Sequence, residues 1–153
     1  MVDRCLDPDL VVTEARRWLG TPYCHQASCR GAGTDCLGLL RGIWRALIGL
    51  EPQTVEPYAA DWAEGAGDER LLAAAKRHLI SVDMARPGDV LLFRMISRGP
   101  VKHVGVLTVG PLEAGRMVHA YSGHSVCETA LTAPWRRRLA GVFRFPERSS
   151  PPN

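Results

Sequence analysis

Two features of the chain predict an α+β fold. Helical periodicity dominates its first half, and short β-branched or apolar runs punctuated by glycine and proline dominate its second half. Helices followed by strands, rather than alternating with them, predict helices packed on a mostly antiparallel sheet of about five strands. The chain has 153 residues, 46% of them hydrophobic and 23% charged, which is enough for one soluble core without a disulfide or metal staple.

The first helix is predicted to open at Asp7-Pro8, a capping carboxylate followed by proline at the first helical position. It carries Leu10, Val11, Ala15 and Trp18 and stops at Gly20. Thr21 to Gly33 has the small, polar composition of a loop. Thr34 is then expected to cap a second helix through Cys36, Leu39, Leu40, Ile43, Trp44 and Leu47, closed by Gly49. Residues 50–67 look irregular, and Asp68 is expected to open a third helix that runs to about Leu79.

Strands follow. Val90 to Phe93 is a short apolar run suited to a buried strand, and Val101 to Val109 is rich in β-branched residues. Met117 to Tyr121 and Ser125 to Leu131 are the next two. A turn at Ala133-Pro134-Trp135 leads to a last strand over Gly141 to Phe145. Residues 1–148 are thus expected to form one domain, with 149–153 a frayed tail.

Composition excludes several classes. The formal net charge is only +3, and the densest basic run is Arg136-Arg137-Arg138, so no nucleic-acid stripe is present. No apolar stretch approaches the roughly 20 residues needed to cross a bilayer, so no membrane insertion is expected. The first residues lack the apolar core of a secretory signal, which leads to an expectation of cytoplasmic synthesis. The five cysteines (Cys5, Cys24, Cys29, Cys36 and Cys127) are odd in number and do not suggest a disulfide framework. Cys24, His25, Cys29 and Cys36 crowd one loop, but four residues separate Cys24 from Cys29 and no second pair follows, so neither a zinc knuckle nor any other metal or cofactor is expected.

Cys36 carries the chemistry. A cysteine in the first turn of a helix meets unpaired N–H groups and the positive end of the helix dipole, which lower a thiol's pKa from about 8.5. A thiolate nucleophile needs a base, and His103 opens an apolar strand while His119 lies in the next one. Directly opposed on neighbouring strands, the two rings would lie within about 5 Å, so that His119 orients His103 and His103 activates Cys36.

These pieces come in a telling order: Trp18-Leu19-Gly20-Thr21-Pro22-Tyr23, then Asp35-Cys36-Leu37-Gly38-Leu39, Pro87-Gly88-Asp89, His103-Val104-Gly105-Val106 and Val118-His119-Ala120. Together they resemble the NlpC-type family of cell-wall cysteine peptidases, from about residue 10 to residue 145. The resemblance implies a papain-like fold and hydrolysis of amide bonds in peptidoglycan stem peptides. It implies Cys36 as nucleophile, His103 as base and acid, His119 as the polar third member, and Tyr23 and Asp35 as substrate-binding residues. Leu37 departs from the family's usual serine after the nucleophile and removes a hydroxyl from the cleft. A compact form without a signal resembles the peptidases of phage tails and phage-like gene transfer agents. That implies a tail-tip or baseplate protein as partner, carriage in a virion-like tail and action in the target cell's periplasm. Two other readings stay open: an N-acyl amidase on the same fold, and a non-catalytic docking component, for which Trp62 and Trp135 are the interface candidates.

Overall fold

The computed structural model describes residues 4–54 and 69–148. Helix α1 spans Pro8–Arg17, with the Asp7 carboxylate accepting the Asp9 N–H at 2.9 Å. Asp9 in its first turn and Arg16 and Arg17 in its last complement the helix dipole. A small ribbon follows, strand β1 (Ser28–Cys29) paired antiparallel with β2 (Gly33–Thr34). Helix α2 spans Cys36–Leu47, and Gly49 just beyond it has φ +142°. Helix α3 spans Arg70–His78.

The main sheet contains β3 (Ile80–Ser81), β4 (Val90–Arg94), β5 (Val101–Val109), β6 (Arg116–His119), β7 (Cys127–Ala130) and β8 (Leu139–Arg144). Its order is β3-β8-β4-β5-β6-β7, and every pair runs antiparallel. A short helix, α4 (Ala133–Arg138), precedes β8.

Four sequence expectations are corrected. The cap of α2 is Asp35, not Thr34: the Asp35 carboxylate accepts the Gly38 N–H at 2.7 Å, while Thr34 ends β2 and donates to the Asp35 carbonyl. A short carboxylate caps better than a β-branched hydroxyl that suits a strand. Ala133-Pro134-Trp135 is the first turn of α4, with proline inside the opening turn where its missing N–H costs nothing. The main sheet has six strands rather than about five, because two-residue β3 is too short to show alternation. Thr21 to Gly33 contains β1 and the start of β2. The start of the third helix at Asp68, most of the irregular stretch, Trp62 and the tail lie outside the described residues.

The sheet is covered on both faces, which is why all of Val90 to Phe93 is buried. Val90, Leu92, Val104, Val106 and Val118 pack towards Val11, Ala15, Trp18, Leu39 and Ile43 of the helical layer. Leu91, Phe93, Leu107 and Met117 form a second cluster with Leu131 and half-buried Trp135. The helical layer sets α2 very close to its neighbours. A β-carbon on Gly38 would stand 1.9 Å from the Ala27 carbonyl oxygen, and one on Gly42 2.0 Å from the Trp18 ring.

Gly42→Ala tests that close approach. Alanine gains about 1 kcal/mol of helix propensity, but displacing a buried indole costs about 1–3 kcal/mol. A net loss in urea unfolding is expected. An equal or higher unfolding midpoint would mean that α2 and Trp18 are not in contact through Gly42.

Candidate active site

Asp35 fixes the start of α2 twice over. One carboxylate oxygen takes the Gly38 N–H, and the other accepts the Gln26 N–H at 2.7 Å. The carboxylate is only 3% exposed, and Gln26 adopts φ +66°. This clamp makes Cys36 the first residue of the helix. The Cys36 thiol lies on the backbone of β5, donating to the Lys102 carbonyl at 3.8 Å and receiving the Val104 N–H. Its sulfur is therefore held on either side of His103 by main-chain groups.

Burial pushes the Cys36 thiol up to about 12, and the neighbouring Asp35 carboxylate adds to the rise. The N–H groups of Val104, Leu37 and Cys36 act in the opposite direction and lose. The expectation of a lowered thiol pKa is thus overturned: the helix start does favour a thiolate, but desolvation and a buried carboxylate outweigh it.

His103 is 5% exposed and sits opposite Phe93 in the β4–β5 register. Its Nε2 lies 2.9 Å from His119 Nδ1. The partner of His119 across β5–β6 is Gly105, so the two histidines are diagonal neighbours, not directly opposed as expected. Gly105 makes the diagonal possible, since a β-carbon there would stand 2.8 Å from the Met117 sulfur and 3.4 Å from the His119 β-carbon. His119 Nε2 in turn lies 2.9 Å from Thr129 Oγ1 on β7. The result is a line of three side chains from three adjacent strands.

Aromatic rings enclose this line. Trp135 has its ring centre 5.2 Å from that of His103 and 5.3 Å from that of His119, and Tyr121 stands edge-on at 5.8 Å from His103. Trp135, an interface candidate in the sequence, is half-buried and packs on the histidine pair and Phe93. Burial holds His103 down to about 3, with the charge of a protonated His119 contributing, and holds His119 down to about 4, with His124 contributing. Both rings are neutral at pH 7.

Tyr23 bridges in parallel to Thr34 and hydrogen-bonds Ser122. Burial raises its pKa, and Cys36 and Asp35 raise it further, which places its hydroxyl in the field of both. Cys36, Asp35 and Tyr23 thus gather at the start of α2. The link to the histidine line is the main chain of β5, which meets the Cys36 thiol at Lys102 and Val104 on either side of His103. Leu37 turns away from this group and lines a cavity of about 320 Å³ with Leu40, Trp44 and Leu71 between α2 and α3. Thr129 and Trp135 were missed as site residues in the sequence. The available signal for Thr129 was a hydroxyl in the strand that follows the His119 strand. None of the five cysteines forms a disulfide, and among the described residues no cluster of three or more His, Cys, Asp or Glu converges as a metal site requires. No described helix is long and apolar enough to cross a membrane.

Residues 20–144 match the sequence model of the NlpC/P60 family. The chain belongs to the NlpC/P60 family. It is 26% identical over 137 residues to a gamma-DL-glutamyl hydrolase of Bacillus subtilis (strain 168), a match that covers 88% of this chain and 29% of that longer protein. Its fold resembles the NlpC/p60 domain of the peptidoglycan hydrolase SagA, with TM-score 0.61 and 22% identity over 92% of this chain and all of that domain. It also resembles a lipoprotein-like NLP/P60 protein of Staphylococcus aureus subsp. aureus Mu50, with TM-score 0.62 and 19% identity over 97% of this chain and 45% of the other. NlpC2 of Trichomonas vaginalis is similar at TM-score 0.61 and 23% identity, over 97% of this chain and 49% of that one. These structural likenesses show the papain-like α+β fold of NlpC/P60 proteins.

The buried neutral histidines make stability depend on pH. Between an ordinary histidine pKa of 6.5 and the lowered folded values, the unfolded chain binds protons at His103 and His119 that the folded chain refuses. Stability is therefore full above about pH 6.5 and falls as the pH drops towards 4. Thermal unfolding from pH 7.5 to 5 should show a falling midpoint, with a shallower slope in His119→Asn. Equal slopes in the two proteins would mean that His119 is not buried neutral.

Proposed function

We propose that the protein is a cysteine peptidase that hydrolyses amide bonds in peptidoglycan stem peptides. The observation that carries this reading is the seat of the Cys36 thiol on the β5 backbone around His103, with His103 Nε2 committed to His119. That commitment leaves Nδ1, the ring nitrogen nearer the backbone, as the acceptor for the thiol proton.

Because both groups rest neutral, the proton leaves sulfur for His103 Nδ1 as the sulfur attacks the scissile carbonyl. The carbonyl oxygen gains charge beside the first N–H groups of α2, which have no helical partner and favour an anion. The imidazolium that forms then protonates the leaving amine, and the neutral ring next takes a proton from water to release the acyl group. Tyr23 and Asp35 border the nucleophile and are the proposed substrate contacts. A substrate ammonium near Asp35 would offset the charge that raises the Cys36 pKa, so substrate binding itself favours the thiolate.

The substrate class draws on the similarity to a gamma-DL-glutamyl hydrolase and to a domain of a peptidoglycan hydrolase. Carriage in a phage-like tail tip, held by a baseplate protein and released into the target periplasm, is the proposed delivery route and rests on the sequence resemblance alone.

Purified peptidoglycan incubated with wild type, Cys36→Ala, His103→Ala and His119→Ala, then analysed by mass spectrometry, tests the peptidase reading. Soluble peptide fragments are expected from wild type, with losses of about 10²–10⁴-fold for His103→Ala and no turnover for Cys36→Ala. A loss of about 10–100-fold is expected for His119→Ala, as for other groups that orient a reacting residue. Fragments at the wild-type rate from Cys36→Ala would refute the assignment, and none from folded wild type would favour the docking role.

A further inference from the structure

We propose that Thr129 is a positioning residue that fixes the tautomers of both histidines and so keeps His103 Nδ1 free to accept the thiol proton. The inference rests on the peptidase reading for its purpose, while its geometry stands independently.

Two neutral imidazoles and one hydroxyl in a line can be hydrogen-bonded in two polarities. In one, the Thr129 hydroxyl donates to His119 Nε2, His119 Nδ1–H donates to His103 Nε2, and His103 carries its proton on Nδ1. That ring cannot take a proton from Cys36. In the other, His119 Nε2–H donates to Thr129 Oγ1, His103 Nε2–H donates to His119 Nδ1, and His103 Nδ1 bears a lone pair. Only this second polarity gives a base, and it requires an oxygen acceptor at position 129. An N–H at His119 Nε2 with no acceptor would be a buried unsatisfied donor, so without the Thr129 oxygen the line favours the inactive polarity.

Thr129 lies on β7, at the edge of the sheet, where the strand has a ladder partner on one side only. The neighbouring residue holds it in place. The Glu128 carboxylate accepts from Arg16 of α1 at 3.0 Å and from Thr108 Oγ1 of β5 at 2.8 Å, and the Glu128 carbonyl accepts from Arg116 at 2.8 Å. Side chains alternate along a strand, so Glu128 ties β7 down from the face opposite to Thr129. The register Met117↔Thr129 and His119↔Cys127 then sets the hydroxyl diagonally against the His119 ring.

The test combines ring nitrogen-15 chemical shifts of the histidine-labelled full chain with kinetics on purified peptidoglycan, for wild type, Thr129→Val and Thr129→Ser. In wild type both His103 and His119 are expected to carry their proton on Nε2. Thr129→Val, which keeps the shape and loses the acceptor, should shift the pair towards the Nδ1–H tautomers and lower kcat by about tenfold with KM little changed. Thr129→Ser should restore both. Should the valine variant fail to fold, the wild-type and serine tautomers still decide. Finding Nδ1–H on His119 in wild type would overturn the proposal, as would unchanged tautomers and kcat in the valine variant. Correct tautomers with no cleavage by wild type would instead refute the peptidase reading and leave the role of Thr129 in the histidine line standing.

Discussion

The contact between the first turn of α2 and the backbone of β5 is the constraint around which the molecule is organised. A sulfur placed between the Lys102 carbonyl and the Val104 N–H can stay there only if the helix cannot slide along or rotate against the strand. Glycine at positions 38 and 42 lets α2 come down on Ala27 and Trp18, and the Asp35 clamp fixes the residue at which the helix begins. On the strand side, β5 lies between β4 and β6 in the sheet interior, where both its edges are hydrogen-bonded. The Cys36 sulfur is thus referenced to a closely packed helix and to an interior strand.

Burying titratable groups sets the electrostatics of the site. Desolvation favours the neutral form of thiol and imidazole alike, and it is the largest influence on Cys36, His103 and His119. The rings of Trp135, Phe93 and Tyr121 supply the low-dielectric wall, and Asp35 adds a fixed negative charge on the thiol side. On the proposed peptidase reading, the cost of charging the site is met during reaction rather than at rest, and Cys36 is activated when a substrate replaces water.

Much of this was legible in the sequence because it depends on local patterns. Asp7-Pro8 and Gly49 bounded helices where capping rules place them, and the bounds expected for β5 match the observed Val101–Val109. Cys36, His103 and His119 were identified from their order along the chain; the structure pairs the two histidines and sets the Cys36 thiol on the β5 main chain beside His103. What escaped depends on distance in three dimensions. The diagonal set of His119 follows from strand register and from the missing side chain at Gly105, neither of which periodicity reports. Trp135 becomes part of the site only because α4 folds back under β4, and Thr129 only because β7 lies beside β6. The sign of the Cys36 pKa shift was misjudged for the same reason: the helix dipole is visible in sequence, and burial is not.

The protonation state of Cys36 is the central claim, and its alkylation rate measures it most directly. Iodoacetamide labelling followed by peptide mapping separates Cys36 from exposed Cys24 and Cys29. For the unliganded protein the expected Cys36 rate is very low at pH 7 and still rising above pH 9, with no plateau, because the thiol resists ionisation up to about 12. A rate that levels off below pH 7 would show a stable resting thiolate and contradict the neutral, burial-dominated site described above.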